Sequence, residues 1–184
     1  MEAFLVSTGL VSLAEIGDKT QLLSLVLAAR FRRPWPIVAG IFAATLANHA
    51  LAGGFGALIT QFVGATMLTR ILGLSFLLMA LWILVPDKLE DEDSQVKAGV
   101  FWTTTVLFFL AEMGDKTQVA TVMLGARYES LWQVVLGTTV GMLLANVPVV
   151  FFGEALARRL PVSAVRKVAA GAFAILGIAA LVSA

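Results

Sequence analysis

Apolar residues fill the chain in six long runs, which are separated by short polar or proline-containing breaks. A helix that crosses the hydrocarbon core of a bilayer needs about 20 apolar residues, and each run approaches or exceeds that length. Breaks such as Arg30–Pro34 and Pro86 end helices, because proline lacks the amide hydrogen that continues them. The pattern predicts an all-α integral membrane protein with six transmembrane helices, at about 3–28, 36–60, 67–85, 99–124, 131–157 and 165–183.

The first and fourth runs each carry the same charged motif near their middle. Residues 14–21 read AEIGDKTQ and residues 111–118 read AEMGDKTQ. Each Glu, Asp or Lys at membrane depth opposes insertion by about 2.5–3.5 kcal/mol, so the six charges together oppose it by roughly 15–20 kcal/mol. Charged residues that are retained at such a cost mark a functional site, and two acidic clusters in one membrane domain indicate a cation site.

The chain divides into two halves that are related in sequence. A strongly polar segment at about 86–98 separates repeat one, about 1–85, from repeat two, about 99–184, within a single membrane domain. A shift of 97 residues maps the first motif onto the second and Gly40 onto Gly137. Further along the chain, a one-residue slip aligns Asn48 with Asn146. Because each half has three spans, the second half enters the membrane in the opposite sense, which predicts an inverted-topology repeat.

The amino-acid composition indicates a membrane protein and limits the metal ions that it can bind. The 184 residues are 59% hydrophobic and 14% charged, whereas soluble domains are about 45–50% apolar and about 25% charged. The absence of cysteine excludes disulfides and thiolate metal sites, and His49 is the only histidine. Carboxylate and carbonyl oxygens suit Mg²⁺, Ca²⁺ and Mn²⁺, so any bound metal is expected to be one of these hard cations.

The distribution of basic residues predicts the orientation of the chain. Positively charged loops stay in the cytoplasm, so the side with the larger number of Lys and Arg residues is the inner one. Nine fall on the side of the central acidic segment, and only Arg70 and Arg127 fall on the other. The central segment is therefore expected in the cytoplasm and both termini outside. The nine are Arg30, Arg32, Arg33, Lys88, Lys97, Arg158, Arg159, Arg166 and Lys167.

The four motif acids are the predicted metal ligands: Glu15, Asp18, Glu112 and Asp115. On a continuous helix each Glu shares a face with the Asp three residues later and the Lys four residues later. Lys19 and Lys116 are predicted to balance charge, which leaves each ionised motif at −1 and the pair at −2. One divalent cation or two protons cancel that charge, and this predicts metal–proton exchange. A purely structural Glu–Lys clasp is the alternative, although it leaves the aspartates unexplained.

Neutral polar residues around the motifs are predicted to assist as additional ligands or as hydrogen-bond partners of the ligands. These residues are Thr20, Gln21, Asn48, Thr117, Gln118 and Asn146. Gly17 and Gly114 indicate either a local break that exposes backbone carbonyls or close packing of helices. His49 has no counterpart in the second half, where Val147 occupies the equivalent position, and packing is the favoured interpretation.

The doubled motif resembles the signature of a known family. Glu-x-Gly-Asp-Lys-Thr, present at Glu15–Thr20 and at Glu112–Thr117, is similar to the motif of the GDT family of calcium/manganese–proton antiporters. The two three-span halves and the charged central segment extend the likeness over the whole chain. The resemblance implies that Glu15, Asp18, Glu112 and Asp115 line a cation path, and that bacterial members mostly export Mn²⁺.

The sequence thus predicts a secondary transporter of the bacterial inner membrane, not an enzyme, that exports Mn²⁺ or Ca²⁺ from the cytoplasm against protons. No resident cofactor and no nucleic-acid partner are expected, and a homo-oligomer is left open. An exporter of a small organic solute, such as a cationic amino acid, is the nearest alternative. An intramembrane aspartyl protease is a more distant alternative, because the inverted repeat and the motif lysines fit it badly. A non-transporting membrane scaffold is a third class, and it would tolerate Glu→Gln and Asp→Asn substitutions in the motif.

Overall fold

The computed structural model describes residues 1–85, 99–153 and 162–183, and these residues form an all-α structure. The described part of the chain contains eight helices. In order they are α1 Glu2–Glu15, α2 Lys19–Phe31, α3 Pro34–Ile59, α4 Ala65–Trp82, α5 Val100–Glu112, α6 Lys116–Arg127, α7 Leu131–Phe152 and α8 Val162–Val182.

Three segments are long and apolar enough to cross a membrane, namely Pro34–Ile59, Leu131–Phe152 and Ser163–Val182. Thr66–Trp82 and Val100–Glu112 are shorter apolar helices. The prediction of an all-α membrane protein is confirmed at this level, whereas the arrangement of six spans as an inverted repeat stays a prediction. The predicted end of the fifth span, at about 157, and the central polar segment lie outside the described residues.

The first and fourth predicted spans are not continuous helices, and this part of the sequence prediction is wrong. The helices α1 and α2 are separated at Ile16–Asp18, and α5 and α6 at Met113–Asp115. Gly17 and Gly114 adopt φ angles of 80° and 74°, which a right-handed helix cannot accommodate. Of the two interpretations of these glycines, the local break is therefore the one that the structure adopts.

Equivalent positions in the two halves make equivalent contacts between helices. A Cβ added at Gly40 of α3 would lie 2.7 Å from the Cβ of Thr104 on α5, and one added at Gly137 of α7 would lie 3.0 Å from the Cβ of Ser7 on α1. The shift of 97 residues relates Gly40 to Gly137 and also Ser7 to Thr104. The long helix of each half therefore packs closely on the first helix of the other half.

Apolar side chains face both the interior and the outside of the molecule. One buried cluster includes Phe76 of α4 and Phe173 of α8, whose rings lie 6.2 Å apart, and a second includes Ile41 of α3 and Phe108 of α5. Many large apolar residues are exposed along the helices, as expected for surfaces that lie in lipid. Trp35 and Trp132, at equivalent helix starts, are 72% and 64% exposed.

The contact between α3 and α6 depends on glycine at position 56. A Cβ added there would overlap the carbonyl oxygen of Val122 and lie 3.0 Å from the amide nitrogen of Ala126. Neither backbone atom can move without shifting α6. Gly56→Ala is therefore expected to destabilise the protein by about 1–3 kcal/mol, through overpacking at this contact.

A matched glycine on the same helix serves as the control for this prediction. A Cβ added at Gly54 would meet no atom within 4 Å, so Gly54→Ala should be neutral or slightly stabilising. Thermal unfolding in detergent should show a lower midpoint for Gly56→Ala, by about 2–4 °C per kcal/mol, and no such fall for Gly54→Ala. Equal midpoints for the two variants would contradict the close α3–α6 packing.

Candidate cation site

The two helix breaks bring four helix ends into the interior, each with a motif acid. Glu15 and Glu112 are the last residues of α1 and α5, whereas Asp18 and Asp115 are the N-caps of α2 and α6. Oδ1 of Asp18 accepts a hydrogen bond from the Lys19 amide at 2.6 Å, and Oδ1 of Asp115 accepts one from the Gln118 amide at 2.7 Å. The positive ends of α2 and α6 therefore stabilise both aspartates in the ionised form.

Two glutamine side chains stabilise the breaks between the helices. Oε1 of Gln21 accepts a hydrogen bond from the Gly17 amide at 2.8 Å, and Oε1 of Gln118 accepts one from the Gly114 amide at 2.6 Å. Their amide groups then donate to the other half of the chain, Gln21 to the carbonyl oxygen of Ala145 at 2.9 Å and Gln118 to Oδ1 of Asn48 at 2.6 Å. Each glutamine thus fixes the shape of its own motif and connects it to the opposite half.

Three of the four predicted metal ligands form one group. Carboxylate oxygens of Glu15, Asp18 and Asp115 all lie within 4.8 Å of one another, and all three residues are buried. Glu15 also accepts hydrogen bonds from Thr20, at 2.5 Å, and from Thr117, so hydroxyl groups of both motifs converge on it. We refer to Glu15, Asp18 and Asp115 as the acidic group.

The fourth acid, Glu112, is not a member of the acidic group. Its side chain is buried, and Oε1 accepts a hydrogen bond from the Thr45 hydroxyl of α3 at 2.9 Å. Oε2 accepts no hydrogen bond from the part of the chain that the structure describes. Glu112 nevertheless interacts electrostatically with Asp115, Glu15 and Lys19. It therefore lies near the acidic group, although its carboxylate is not one of the three that lie within 4.8 Å of one another.

The two asparagines contact the short helices of the opposite halves. Oδ1 of Asn48 accepts the hydrogen bond from Gln118 of α6, and Oδ1 of Asn146 accepts one from the Ser24 hydroxyl of α2 at 2.8 Å. His49, next to Asn48, is 1% exposed, and neither ring nitrogen has a hydrogen-bond partner among the described residues. This placement is compatible with packing as its role.

The motif lysines occupy different surroundings. Nζ of Lys116 donates to the carbonyl oxygen of Val85 at 2.6 Å, and the side chain is buried. Lys19 is half-buried, and its charge acts on Glu112 of the other motif. The charge-balancing role of both lysines stays a prediction.

Sequence reasoning missed two hydroxyl groups that contact site residues. Thr45 lies three residues before Asn48, and Ser24 lies three residues after Gln21, so each is one helical turn from a residue that was singled out. The sequence feature that could have identified them is a polar residue one helical turn from a predicted ligand. Both residues are fully buried.

The spacing of the acidic group fits a single hard cation. Metal–oxygen distances of about 2.1–2.6 Å place two ligands on opposite sides of one ion about 4–5 Å apart, which matches the group. Carboxylate oxygens suit Mn²⁺, Ca²⁺ and Mg²⁺, and the surrounding threonines supply neutral oxygens of the same class. The arrangement can therefore hold a divalent cation or, when it is empty, protons.

Comparisons with known proteins agree with this chemistry. A family model described as "Divalent cation/proton antiporter GDT1" matches residues 3–91 and 100–184. A protein of Vibrio cholerae named "Putative manganese exporter" is 52% identical over 180 residues, which cover 97% of this chain and 90% of that protein. A GDT1-like protein of Synechocystis is 29% identical over 180 residues, which cover 87% of each chain.

More distant relatives occur in plants. GDT1-like protein 3 of Arabidopsis thaliana is 25% identical over 188 residues, which cover 86% of this chain and 63% of that protein. No solved structure matches the chain. The family match spans both halves and both motifs, and it concerns transporters rather than enzymes. The chain therefore belongs to the GDT1 family of divalent cation/proton antiporters.

Proposed function

We propose that this protein exports Mn²⁺ from the cytoplasm in exchange for protons, with Ca²⁺ as a second substrate. The observation that carries the proposal is the acidic group, in which three buried carboxylates from both halves lie within 4.8 Å. Buried carboxylates are stable only when charge compensates them, and a divalent cation or protons supply that charge. The name of the Vibrio cholerae relative favours Mn²⁺ as the main substrate.

The architecture that we propose for this function has six spans in two inverted halves. In each half the broken pair, α1–α2 or α5–α6, forms one interrupted span, as in secondary transporters that bind ions at the midplane. The amino group of Met1 donates to Oε1 of Gln133 at 2.9 Å, so the start of α1 lies beside the start of α7. An inverted repeat of this kind places both helix starts on the same side of the membrane, so the contact supports the proposed arrangement of the spans. The proposed orientation, with the N-terminus outside, rests on the distribution of Lys and Arg residues.

Proton coupling follows from the charge of the site. Carboxylates must lose their protons before they bind a metal ion, so cation binding and proton binding exclude each other. The four acids and two lysines sum to −2 when all are ionised, which one divalent cation or two protons neutralise. We therefore propose exchange of one M²⁺ for about two H⁺.

Hydrogen-bond donors of the chain itself stabilise the ionised carboxylates after the protons have left and before the cation binds. The N-terminal ends of α2 and α6 face Asp18 and Asp115, and the hydroxyl groups of Thr20 and Thr117 donate to Glu15. These donors lower the energy of the carboxylates before the cation arrives. They also keep the affinity moderate, because the cation must replace interactions that already exist.

The test uses the full chain in liposomes that enclose a pH dye and a metal indicator. A proton gradient is imposed, and Mn²⁺, Ca²⁺ and Mg²⁺ are added in turn, with Asp115→Asn as the control. We expect metal flux with opposite proton flux, largest for Mn²⁺ and lost in the control. Folded protein that moves none of the three ions would overturn the proposal and favour an exporter of small organic solutes.

A further inference from the structure

The two motifs are nearly identical in sequence, yet their glutamates have different surroundings. Glu15 and Glu112 are related by the 97-residue shift, as are Thr20 and Thr117. Both threonine hydroxyls donate their hydrogen bonds to Glu15 and not to Glu112. Glu15 belongs to the acidic group, whereas Glu112 is bonded to Thr45 instead. A feature outside the motifs must therefore distinguish the two glutamates.

Thr45 is that feature, because the other half has no equivalent of it. The positions that correspond to Thr45 on α7, with or without the one-residue slip, are Leu143 and Met142. Neither side chain can donate a hydrogen bond to Glu15. The hydroxyl of Thr45 is fully buried on α3, and its bond of 2.9 Å joins two helices that are already packed together. Its geometry is therefore fixed by the packing of α3 of the first half against α5 of the second half.

We infer that Thr45 is a positioning residue that withholds Glu112 from the cation, so that three carboxylates rather than four bind the ion in this conformation. The inference rests on the proposed function. Glu112 is near enough to Asp115 and Glu15 to interact with their charges, and its Oε2 has no hydrogen-bond partner among the described residues. The bond to Thr45 is thus the contact that directs this carboxylate away from the group.

A withheld carboxylate has a clear consequence for an exporter. The affinity of oxygen sites for divalent cations rises with the number of charged ligands, and a site that binds too tightly releases its ion slowly. Three carboxylates allow capture and release, whereas a fourth would hold the ion. Removal of the Thr45 hydroxyl should therefore tighten binding and slow transport, which is the opposite of simple damage to a site.

The experiment measures Mn²⁺ affinity and transport for Thr45→Val, which keeps the shape of the side chain and removes its hydroxyl. In the full-length protein, titration of free Mn²⁺ by electron paramagnetic resonance gives Kd, and the liposome assay gives kcat and KM. We expect Kd and KM to fall by about ten-fold, with a comparable fall in kcat, as one more charged ligand joins the ion. Thr45→Ser should restore all three values.

Two further variants separate this effect from a general change in packing. Thr138 is a buried threonine of α7 whose hydroxyl donates to carbonyl groups of its own helix, so Thr138→Val is a matched control that should leave Kd unchanged. Adding Glu112→Gln to Thr45→Val removes the extra carboxylate and should reverse the tightening. Unchanged or weaker Mn²⁺ binding by Thr45→Val would overturn the inference.

The equivalent glutamates provide a test that does not depend on the folding of Thr45→Val. Glu15→Gln should raise Kd by more than about 100-fold, whereas Glu112→Gln should raise it by less than about three-fold while transport still falls. An equal rise in Kd for the two variants would overturn the role of Thr45 and leave the proposed export intact. Absence of Mn²⁺ flux in the unsubstituted protein would instead be a failure of the proposed function.

Discussion

Replacing both Asp18 and Asp115 with asparagine is expected to abolish metal–proton exchange without unfolding the protein. Each aspartate caps a helix through one carboxylate oxygen, and asparagine caps helices equally well. The substitutions therefore keep the caps and remove two buried negative charges from the acidic group. Loss of a contact that only supports a ligand already weakens metal binding by about 10–100-fold, so loss of two of the proposed ligands should reduce flux by more than about 100-fold.

A second, independent prediction concerns the thermal stability of the same double variant. Buried charges are expensive in a membrane, so the doubly neutral site should unfold at the same temperature as the unsubstituted protein or at a higher one. Uptake-coupled proton release and thermal unfolding are measured on the same preparation. Proton release that persists in the double variant would remove both aspartates from the cation path, however stable the protein proved to be.

The sequence was sufficient to predict the family and the all-helical membrane class. The doubled motif at 14–21 and 111–118 carried the family resemblance, and the apolar runs around it indicated the membrane class. The family match confirms the resemblance to the GDT antiporters. What the motif could not supply was the path of the backbone through it.

The helix breaks illustrate this limit. The sequence left two interpretations of Gly17 open, a local break and a close helix contact, because the motif around it lies inside a long apolar run. The choice between a break and a close helix contact depends on partners that are distant in sequence, and for Gln21 this partner is the carbonyl oxygen of Ala145. The break also changes the roles of neighbouring residues, since Gln21 and Gln118 use their oxygens to hold it.

The difference between Glu15 and Glu112 could not be predicted from the motifs for a related physical reason. A near-identical local sequence gives both glutamates the same local preference. Their surroundings differ because of Thr45, which is 67 residues away from Glu112 in the chain and contacts it only after α3 and α5 have packed. The symmetry of the sequence thus predicts equivalent roles for the two glutamates, whereas the fold gives them different neighbours.

The second large effect is expected for Gly114→Ala, because this glycine adopts the positive φ on which the break between α5 and α6 depends. Its φ is +74°, a value that alanine adopts only with strain of about 1–2 kcal/mol. A Cβ at this position would meet no atom within 4 Å, so the substitution tests backbone conformation and not packing. Relief of the strain would move Glu112 and Asp115, which flank the break, and transport should fall by about 5–30-fold.

Gly9→Ala is the matched control, since Gly9 is also a residue around which an added Cβ meets no atom within 4 Å, but it lies within α1. In a helix alanine is favoured over glycine by about 1 kcal/mol, so Gly9→Ala should preserve transport and raise the unfolding temperature slightly. Both variants are compared in the liposome flux assay and by thermal unfolding. If Gly114→Ala transports Mn²⁺ as fast as Gly9→Ala, the positive φ of the break is not required for function, and a continuous helix through the second motif would satisfy the exchange equally well.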